Sequence, residues 1–174
     1  MPEAQSIDGA TRRFGESNYR WRLLIVEAAV WLVVARLALI FVAFNRLSPY
    51  LGAFLPASDP RAQEREDQYS DIDSRCAEDI GLAVAWSAAR VPFKAVCLPQ
   101  AMAARFMLRR RGISSSLFFG AVIVNGTSME THAWLHAAGV KVTGYPVANR
   151  FTPIGCFFWP PVTSELVRRT GDAH

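Results

Sequence analysis

Two residues of this chain have the types and the setting for nucleophilic chemistry: Cys97, in KAVCLPQAMAARFMLRRRG, and His132, in METHAWLHA. Cys97 falls where a helix is predicted to begin, because Pro99 lies in the first turn and Gly112 follows the basic run that ends the helix. The positive end of a helix dipole favours an anion, so this position suits a thiolate. A thiolate nucleophile needs a base, and an imidazole on a following strand can supply it.

Each candidate also has a purely structural interpretation. Most free cysteines are small buried hydrophobes, and a strand histidine is often only a hydrogen-bonded part of its sheet. Gln100, one turn after Cys97, is either a hydrogen-bond donor to a reacting carbonyl or an ordinary first-turn polar residue. Cys76 and Cys156 lie in apolar patterns and are predicted to be packed core thiols.

The elements that must position these residues form an α+β pattern, with N-terminal helices followed by an antiparallel sheet. Helices are predicted from Arg20 to about Leu47, from Ser70 to Arg90 and from Cys97 to Arg111, with a connection at residues 48–59. Four strands are predicted in SSSLFFGAVIV, METHAWLHA, VKVTGY and FTPIGCFFW. The apolar stripe of the second helix comprises Ile72, Cys76, Ile80, Leu82, Val84 and Trp86.

The turn dipeptides fix a register for the strands. Asn125-Gly126 and Ala138-Gly139 predict tight hairpins. The second hairpin pairs Ala137 with Val140, Leu135 with Val142 and His132 with Tyr145. Alternation along the strand places three side chains on one face, His132, Trp134 and His136, and two on the other, Ala133 and Leu135.

This register makes Tyr145 the candidate for orienting His132. No acidic residue occurs between Glu130 and Glu165, so a neighbouring-strand aspartate is excluded by composition. Tyr145, Asn149 or a backbone carbonyl must then hold the imidazole. Trp134 is a candidate for contact with the substrate or the oxyanion.

Composition sets further bounds. A chain of 174 residues with 51% hydrophobic and 20% charged residues is long enough for one domain with a real core. Three separated cysteines without a CxxC predict reduced thiols in the cytoplasm, no metal site and no cofactor. The basic run 109–111 is typical of a helix C-terminus, so no nucleic-acid partner is predicted.

The apolar run at residues 23–44 resembles a membrane span, but Glu27 and Arg36 interrupt it. Each charge costs roughly 3 kcal/mol near a bilayer centre, so a long buried helix is favoured. The two charges are about 180° apart on a helix and are not expected to pair. A contact of this helix with a membrane surface or a partner protein stays open.

The sequence resembles the lasso-peptide biosynthesis B protein, in its transglutaminase-like cysteine-protease (leader peptidase) part. The resemblance rests on EAAVWLVVARLAL, VPFKAVCLPQAMAARFMLRRRG, FFGAVIV, THAWLHAAGVKVTG and FTPIGCF, in that order. It implies a papain-like or transglutaminase-like fold with Cys97 as nucleophile and His132 as base and then acid. Family members often have an aspartate near the position of Gly144 and Tyr145, and this chain departs from that pattern.

The resemblance also implies an activity and partners. The activity is removal of the leader peptide from a lasso precursor, and the partners are that precursor, a leader-recognition domain protein and the ATP-dependent cyclase that closes the macrolactam. The division of the chain that follows is a flexible N-terminus at 1–18, an apolar helix and connection at 19–60, the peptidase domain at 61–165 and a tail at 166–174. An acyl-transfer enzyme of the same fold and a catalytically impaired scaffold in the same complex remain as alternatives.

Overall fold

A computed structural model describes the backbone of residues 4–59 and 70–159 and the side chains of residues 18–59 and 70–159. The helices there are α1 (Ala4–Phe41), α2 (Phe44–Leu51), α3 (Asp71–Ala88) and α4 (Cys97–Arg109). The strands are β1 (Ala53–Pro56), β2 (Ser115–Val124), β3 (Ser128–Ala137), β4 (Val140–Thr143) and β5 (Thr152–Trp159), with a short 3-10 helix, Val147–Arg150, before β5. The predicted α+β order, helices first and antiparallel sheet last, is confirmed.

The N-terminal half differs from the prediction in three places, the first being that α1 begins at Ala4 and not at Arg20. The single helix expected to run to about Leu47 ends at Phe41, because Ala43 is extended and caps a separate helix, α2. The expected connection at 48–59 contains the end of α2 and all of β1. Of the expected segments, the tail at 166–174 lies outside the described residues. The backbone of α1 begins at Ala4, within the expected N-terminal segment 1–18. The side chains of that segment up to residue 17 also lie outside the described residues.

The sheet has the strand order β1-β5-β2-β3-β4, and every neighbouring pair is antiparallel. Both predicted hairpin turns are confirmed, since Asn125-Gly126 and Ala138-Gly139 have positive φ at both central residues. The edge strand β1 was not predicted. It pairs with the last strand, β5, with Leu55 opposite Cys156.

A bulge changes the predicted register between β3 and β4. Ala137 faces Val140 as expected, but Leu135 faces Thr143 instead of Val142. The register shifts between Leu135 and His136, so β4 contributes one residue more than β3 there. The pairing of His132 with Tyr145 is therefore wrong, because β4 ends at Thr143.

The two faces of the sheet carry two separate apolar clusters. The main core joins α1, α3 and α4 to one face of the sheet, which presents Leu117, Ala133 and Leu135. A smaller cluster on the other face comprises Leu55, Phe118, Trp134, Ala148 and Cys156, with Tyr145, Phe151 and Phe158 at its border. The alternation predicted for β3 is thus present.

Helix α3 buries smaller residues than its apolar stripe predicted. Its buried residues are Ala77, Ile80, Gly81, Ala83, Val84 and Ser87. Three members of the predicted stripe, Ile72, Leu82 and Trp86, are exposed instead. The reason is a close approach to β4, where a Cβ on Gly81 would lie 2.6 Å from the carbonyl oxygen of Val142.

Ionic and aromatic contacts join α1 to α4. The Glu27 carboxylate on α1 is 2.7 Å from Arg111 and 3.2 Å from Arg110, just after the end of α4. Trp31 stacks on Phe106 with ring centroids 4.9 Å apart. These contacts hold α1 alongside the helix that begins with Cys97.

Candidate active site

Cys97 is the first residue of α4 and is half-buried against the main core. Backbone N–H groups in the first turn of a helix have no intrahelical acceptor. Pro99 has no N–H, and the N–H of Gln100 donates to the carbonyl of Val96 at 3.3 Å. The N–H groups of Cys97 and Leu98 are therefore the two donors at this helix end with which an oxyanion can bond.

The direction of α4 follows from two arginines in its second half. Arg105 donates to the carbonyls of Phe157, at 2.9 Å, and Ser115, at 3.2 Å. Arg109 lies over the ring of Trp159, 3.6 Å from its centroid. Both contacts lie at the end of the sheet where β2 begins and β5 ends, so the N-terminus of α4 points the other way.

That direction points the Cys97 end of α4 away from the end of the sheet where β2 begins. His132 also lies away from that end, since it is paired with Gly120 in the second half of β2.

His132 is held by a backbone carbonyl and by aromatic rings. Its Nε2 lies 2.9 Å from the carbonyl oxygen of Gly144. A carbonyl can only accept, so Nε2 carries the proton and the neutral ring has its lone pair on Nδ1. The imidazole stacks on Phe151, with centroids 5.0 Å apart, and on Trp134, with centroids 6.2 Å apart.

The two candidate groups lie on opposite faces of the sheet. Cys97 packs against the main core, whereas the ring partners of His132, Trp134 and Phe151, belong to the smaller cluster. Among the described residues, no hydrogen bond joins the Cys97 thiol to the His132 imidazole. The structure thus shows the two candidate groups without the direct hydrogen bond that a working dyad needs.

Gln100 and Trp134, the two substrate-contact candidates, have intramolecular partners. Gln100 donates from its side-chain amide to the carbonyl of Ala95 at 2.6 Å, which ties the loop before Cys97 to the helix. Trp134 is buried and stacks on Phe118, with centroids 5.7 Å apart. A Cβ on Gly120 would lie 2.7 Å from the Trp134 ring, so the glycine makes room for that ring.

Tyr145, the expected orienting group of His132, contacts the other histidine of the strand. Its hydroxyl hydrogen-bonds Nε2 of His136. Burial raises the pKa of Tyr145 to about 12. Burial, and secondarily the charge of Lys141, lowers the pKa of His136, so this pair is neutral near pH 7.

Two residues of this region, Gly144 and Phe151, and the buried Arg105 that fixes the direction of α4 were not predicted from the sequence. The sequence allowed a backbone carbonyl as the group that holds His132, but no signal in it pointed to Gly144. Phe151 gave no signal, because it reaches His132 only through the fold. Arg105 lies on the buried side of an apolar helix, where burial lowers its pKa to about 9 and leaves it cationic at neutral pH.

A cysteine at the start of a helix packed on an antiparallel sheet, with a histidine on a central strand, defines a class of fold in which cysteine enzymes occur. A family model described as the transglutaminase-like superfamily matches residues 38–156, and the chain belongs to that superfamily. No match was found among curated proteins or among solved structures. The matched region begins within α1 and ends in β5, and it includes both Cys97 and His132.

This membership sets the general class of chemistry. The transglutaminase-like superfamily contains cysteine peptidases and acyltransferases. Both form a thioester on a cysteine and differ in the acceptor that resolves it. Among the described residues, no group of three or more metal-ligating side chains occurs.

Proposed function

We propose that this protein is a cysteine peptidase that removes the leader peptide from a lasso-peptide precursor, before a partner cyclase closes the macrolactam ring. The observation that carries the proposal is Cys97, a half-buried thiol at the first residue of α4, inside the region that the transglutaminase-like model matches. The resemblance of CLPQAMAARFMLRRRG followed by HAW to lasso B proteins supports the proposed substrate class.

In the proposed reaction, the thiolate of Cys97 attacks the scissile carbonyl carbon and forms a tetrahedral intermediate. The N–H groups of Cys97 and Leu98 donate to its oxyanion. His132 gives a proton to the leaving amine, the C–N bond breaks and a thioester remains. Water, deprotonated by His132, then attacks the thioester and releases the leader as a free acid.

The hydrogen bond from His132 to Gly144 supports the role of the imidazole. It holds Nε2 and leaves Nδ1 as the basic nitrogen, which is the function an orienting aspartate serves in a triad. A backbone carbonyl carries no full charge, so it stabilises the imidazolium less than a carboxylate does. We therefore expect a slow enzyme compared with one that has a complete triad.

The opposite faces of Cys97 and His132 require a rearrangement before the dyad can act. We propose that the bound precursor, or a partner, twists the start of β3 together with Gly144, so that the imidazole keeps its hydrogen bond and approaches the Cys97 thiol. Residues 128–131, at the start of β3, are all exposed, so few packing contacts oppose such a twist. The partners in this proposal are the precursor, a leader-recognition domain protein and the cyclase.

The proposed location is the cytoplasm. Cys76, Cys97 and Cys156 are all free thiols, which suits a reducing compartment. One described helix, Asn18–Phe41, is long and apolar enough to cross a membrane.

Mass spectrometry of a lasso precursor incubated with the protein and a leader-recognition domain tests the proposal. We expect a free leader acid from the wild type and none from Cys97→Ala or His132→Ala. The matched controls are Cys76→Ala, which removes another half-buried thiol, and His136→Ala, which removes the other histidine on the same sheet face. Cleavage retained by Cys97→Ala would overturn the proposal, and an amide of the leader in place of the acid would assign acyl transfer.

The separation of the two side chains favours one rival, a catalytically impaired scaffold in the same complex. The rate of Cys97 alkylation at about pH 6, where free thiols are largely protonated, distinguishes the two. An enhanced rate that needs His132 and appears on adding precursor and partners supports the peptidase. A rate equal to that of a free thiol under all these conditions identifies the scaffold.

A further inference from the structure

Helix α1 carries a continuous apolar stripe on the side that faces away from the protein. Its members recur every three or four residues and are 41–79% exposed: Tyr19, Leu23, Val26, Val30, Val33, Val34, Leu37, Ile40 and Phe41. They are here called the α1 stripe. The stripe runs for about 33 Å along one helix face, at 1.5 Å per residue.

The α1 stripe is larger than the apolar surface a monomer usually exposes. Its nine side chains together expose on the order of 900 Å², against roughly 300–600 Å² for the largest patch on a typical monomer. The opposite side of the same helix is already packed, since Ala28, Leu32 and Ala35 are at most 1% exposed. An apolar surface of this size therefore indicates that another molecule covers the α1 stripe.

A membrane-spanning position does not suit the helix in this fold. Ala28, Leu32 and Ala35 are sealed in the main core, and Ser87 on α3 donates to the carbonyl of Ile25 at 3.1 Å. Glu27 is held by Arg111 in an ion pair. Lipid cannot surround a helix with these contacts, so within residues 18–41 the face of α1 that a membrane can meet is the α1 stripe.

The charges beside the stripe are positive. Exposed Arg20 and Arg22 lie at its start, and half-buried Arg36 borders its C-terminal half. Glu27 is the only carboxylate in the sequence between residues 18 and 58, and two arginines already bind it. A second copy of the chain would bring the same arginines together, whereas an anionic headgroup layer complements them.

We propose that the α1 stripe docks this protein on the surface of a membrane that contains anionic lipids. The apolar side chains enter the boundary between headgroups and acyl chains, and α1 lies in the membrane plane. Arg22 and Arg36 extend along the helix to the lipid phosphates. The proposal is independent of the peptidase chemistry, because most of the stripe precedes residue 38, where the family match begins.

Vesicle flotation of the full chain tests this proposal. The probes are vesicles of phosphatidylcholine alone and vesicles in which about a third of the lipid is phosphatidylglycerol. We expect flotation with the anionic vesicles and at least tenfold weaker binding for Val30→Asp and Leu37→Asp. The matched control is Ile123→Asp, because Ile123 is 72% exposed but lies on β2, and it should bind like the wild type.

Charge neutralisation gives a second readout. Each cation near an anionic surface strengthens binding about fivefold, so Arg22→Gln with Arg36→Gln should weaken binding about thirtyfold on anionic vesicles. Equal binding to both kinds of vesicle, or none to either, would overturn the proposal. A dimer in sedimentation equilibrium that Val30→Asp dissociates, without vesicle binding, would assign the stripe to a second copy instead.

Discussion

Gly144, the glycine that follows β4, is a single residue whose backbone holds His132. Gly144 has φ +86°, and its carbonyl accepts the hydrogen bond from His132. A Cβ there would lie 2.6 Å from Cβ of Trp134 and 2.8 Å from the carbonyl oxygen of Ala133. No side chain fits unless the backbone moves, and that backbone carries the orienting carbonyl.

We therefore expect Gly144→Ala to lower the free energy of unfolding by about 2–4 kcal/mol, since it adds a clash to an unfavourable φ. Gly112→Ala is the matched control, because Gly112 also has positive φ but has open space around it. That control should lose only about 1 kcal/mol. Urea denaturation measures both, and equal losses would show that the contact with Trp134 is unimportant.

His136 makes the stability of the folded protein depend on pH. Burial first, and the charge of Lys141 second, lower its pKa from the ordinary value of 6.5. The unfolded chain then binds more protons than the folded one between the lowered pKa and 6.5. The stability that this residue contributes is complete above 6.5 and is lost as pH falls through the lowered pKa.

Lys141→Gln removes the second of these causes. The pKa of His136 should rise towards 6.5, and the loss of stability on acidification should become smaller. Nuclear magnetic resonance titration of the imidazole measures the pKa directly, with Lys94→Gln as the control because Lys94 is exposed outside the sheet. An unchanged titration would mean that burial alone sets the pKa.

At the level of elements, α4 is attached to the sheet by a buried cation. Arg105 is 1% exposed and donates to the carbonyls of Phe157 and Ser115, while its Nε has no partner. The hydrogen bonds stabilise the fold, but the desolvated charge and the unpaired Nε oppose them. These terms are of similar size, so the net effect of the guanidinium should be small.

Arg105→Met keeps most of the buried volume and removes the charge, so we expect it to change stability by no more than about 1 kcal/mol. Arg105→Ala also leaves a cavity between α4 and the sheet, and we expect it to cost about 3 kcal/mol. Thermal and urea unfolding compare the two variants. If methionine proves as destabilising as alanine, the hydrogen bonds to the carbonyls decide the stability.

At the level of the whole molecule, one sheet is shared by two apolar clusters. Neighbouring residues of β2 point to opposite faces, with Leu117 in the main core and Phe118 in the smaller cluster. If the sheet unfolds, the apolar side chains of both clusters are exposed to water together. This arrangement predicts that both clusters unfold together.

We expect a single cooperative unfolding transition, with the same midpoint whichever cluster is observed. Trp134 reports on the smaller cluster, while Trp21 and Trp31 report on the main core. Fluorescence of a Trp134→Phe variant, compared with that of the wild type, separates the two signals. Two transitions with different midpoints would contradict the prediction.

The sequence by itself determined the elements whose signals are local. The start of α4 at Cys97, the turns at Asn125-Gly126 and Ala138-Gly139, and the alternation along β3 were all predicted. Helix ends and tight turns depend on the φ preferences and hydrogen-bonding groups of a few adjacent residues. Such preferences act without the rest of the chain, so they can be recognised in the sequence.

Only the tertiary structure decided which surfaces meet. The pairing of β1 with β5, the burial of Arg105 and the exposure of Leu82 and Trp86 on α3 depend on residues distant in sequence. So does the bulge between β3 and β4, because a register is fixed by the packing of both strands and not by either one alone. The same long-range packing puts Cys97 and His132 on opposite sheet faces, since the face that α4 covers is chosen by the whole core.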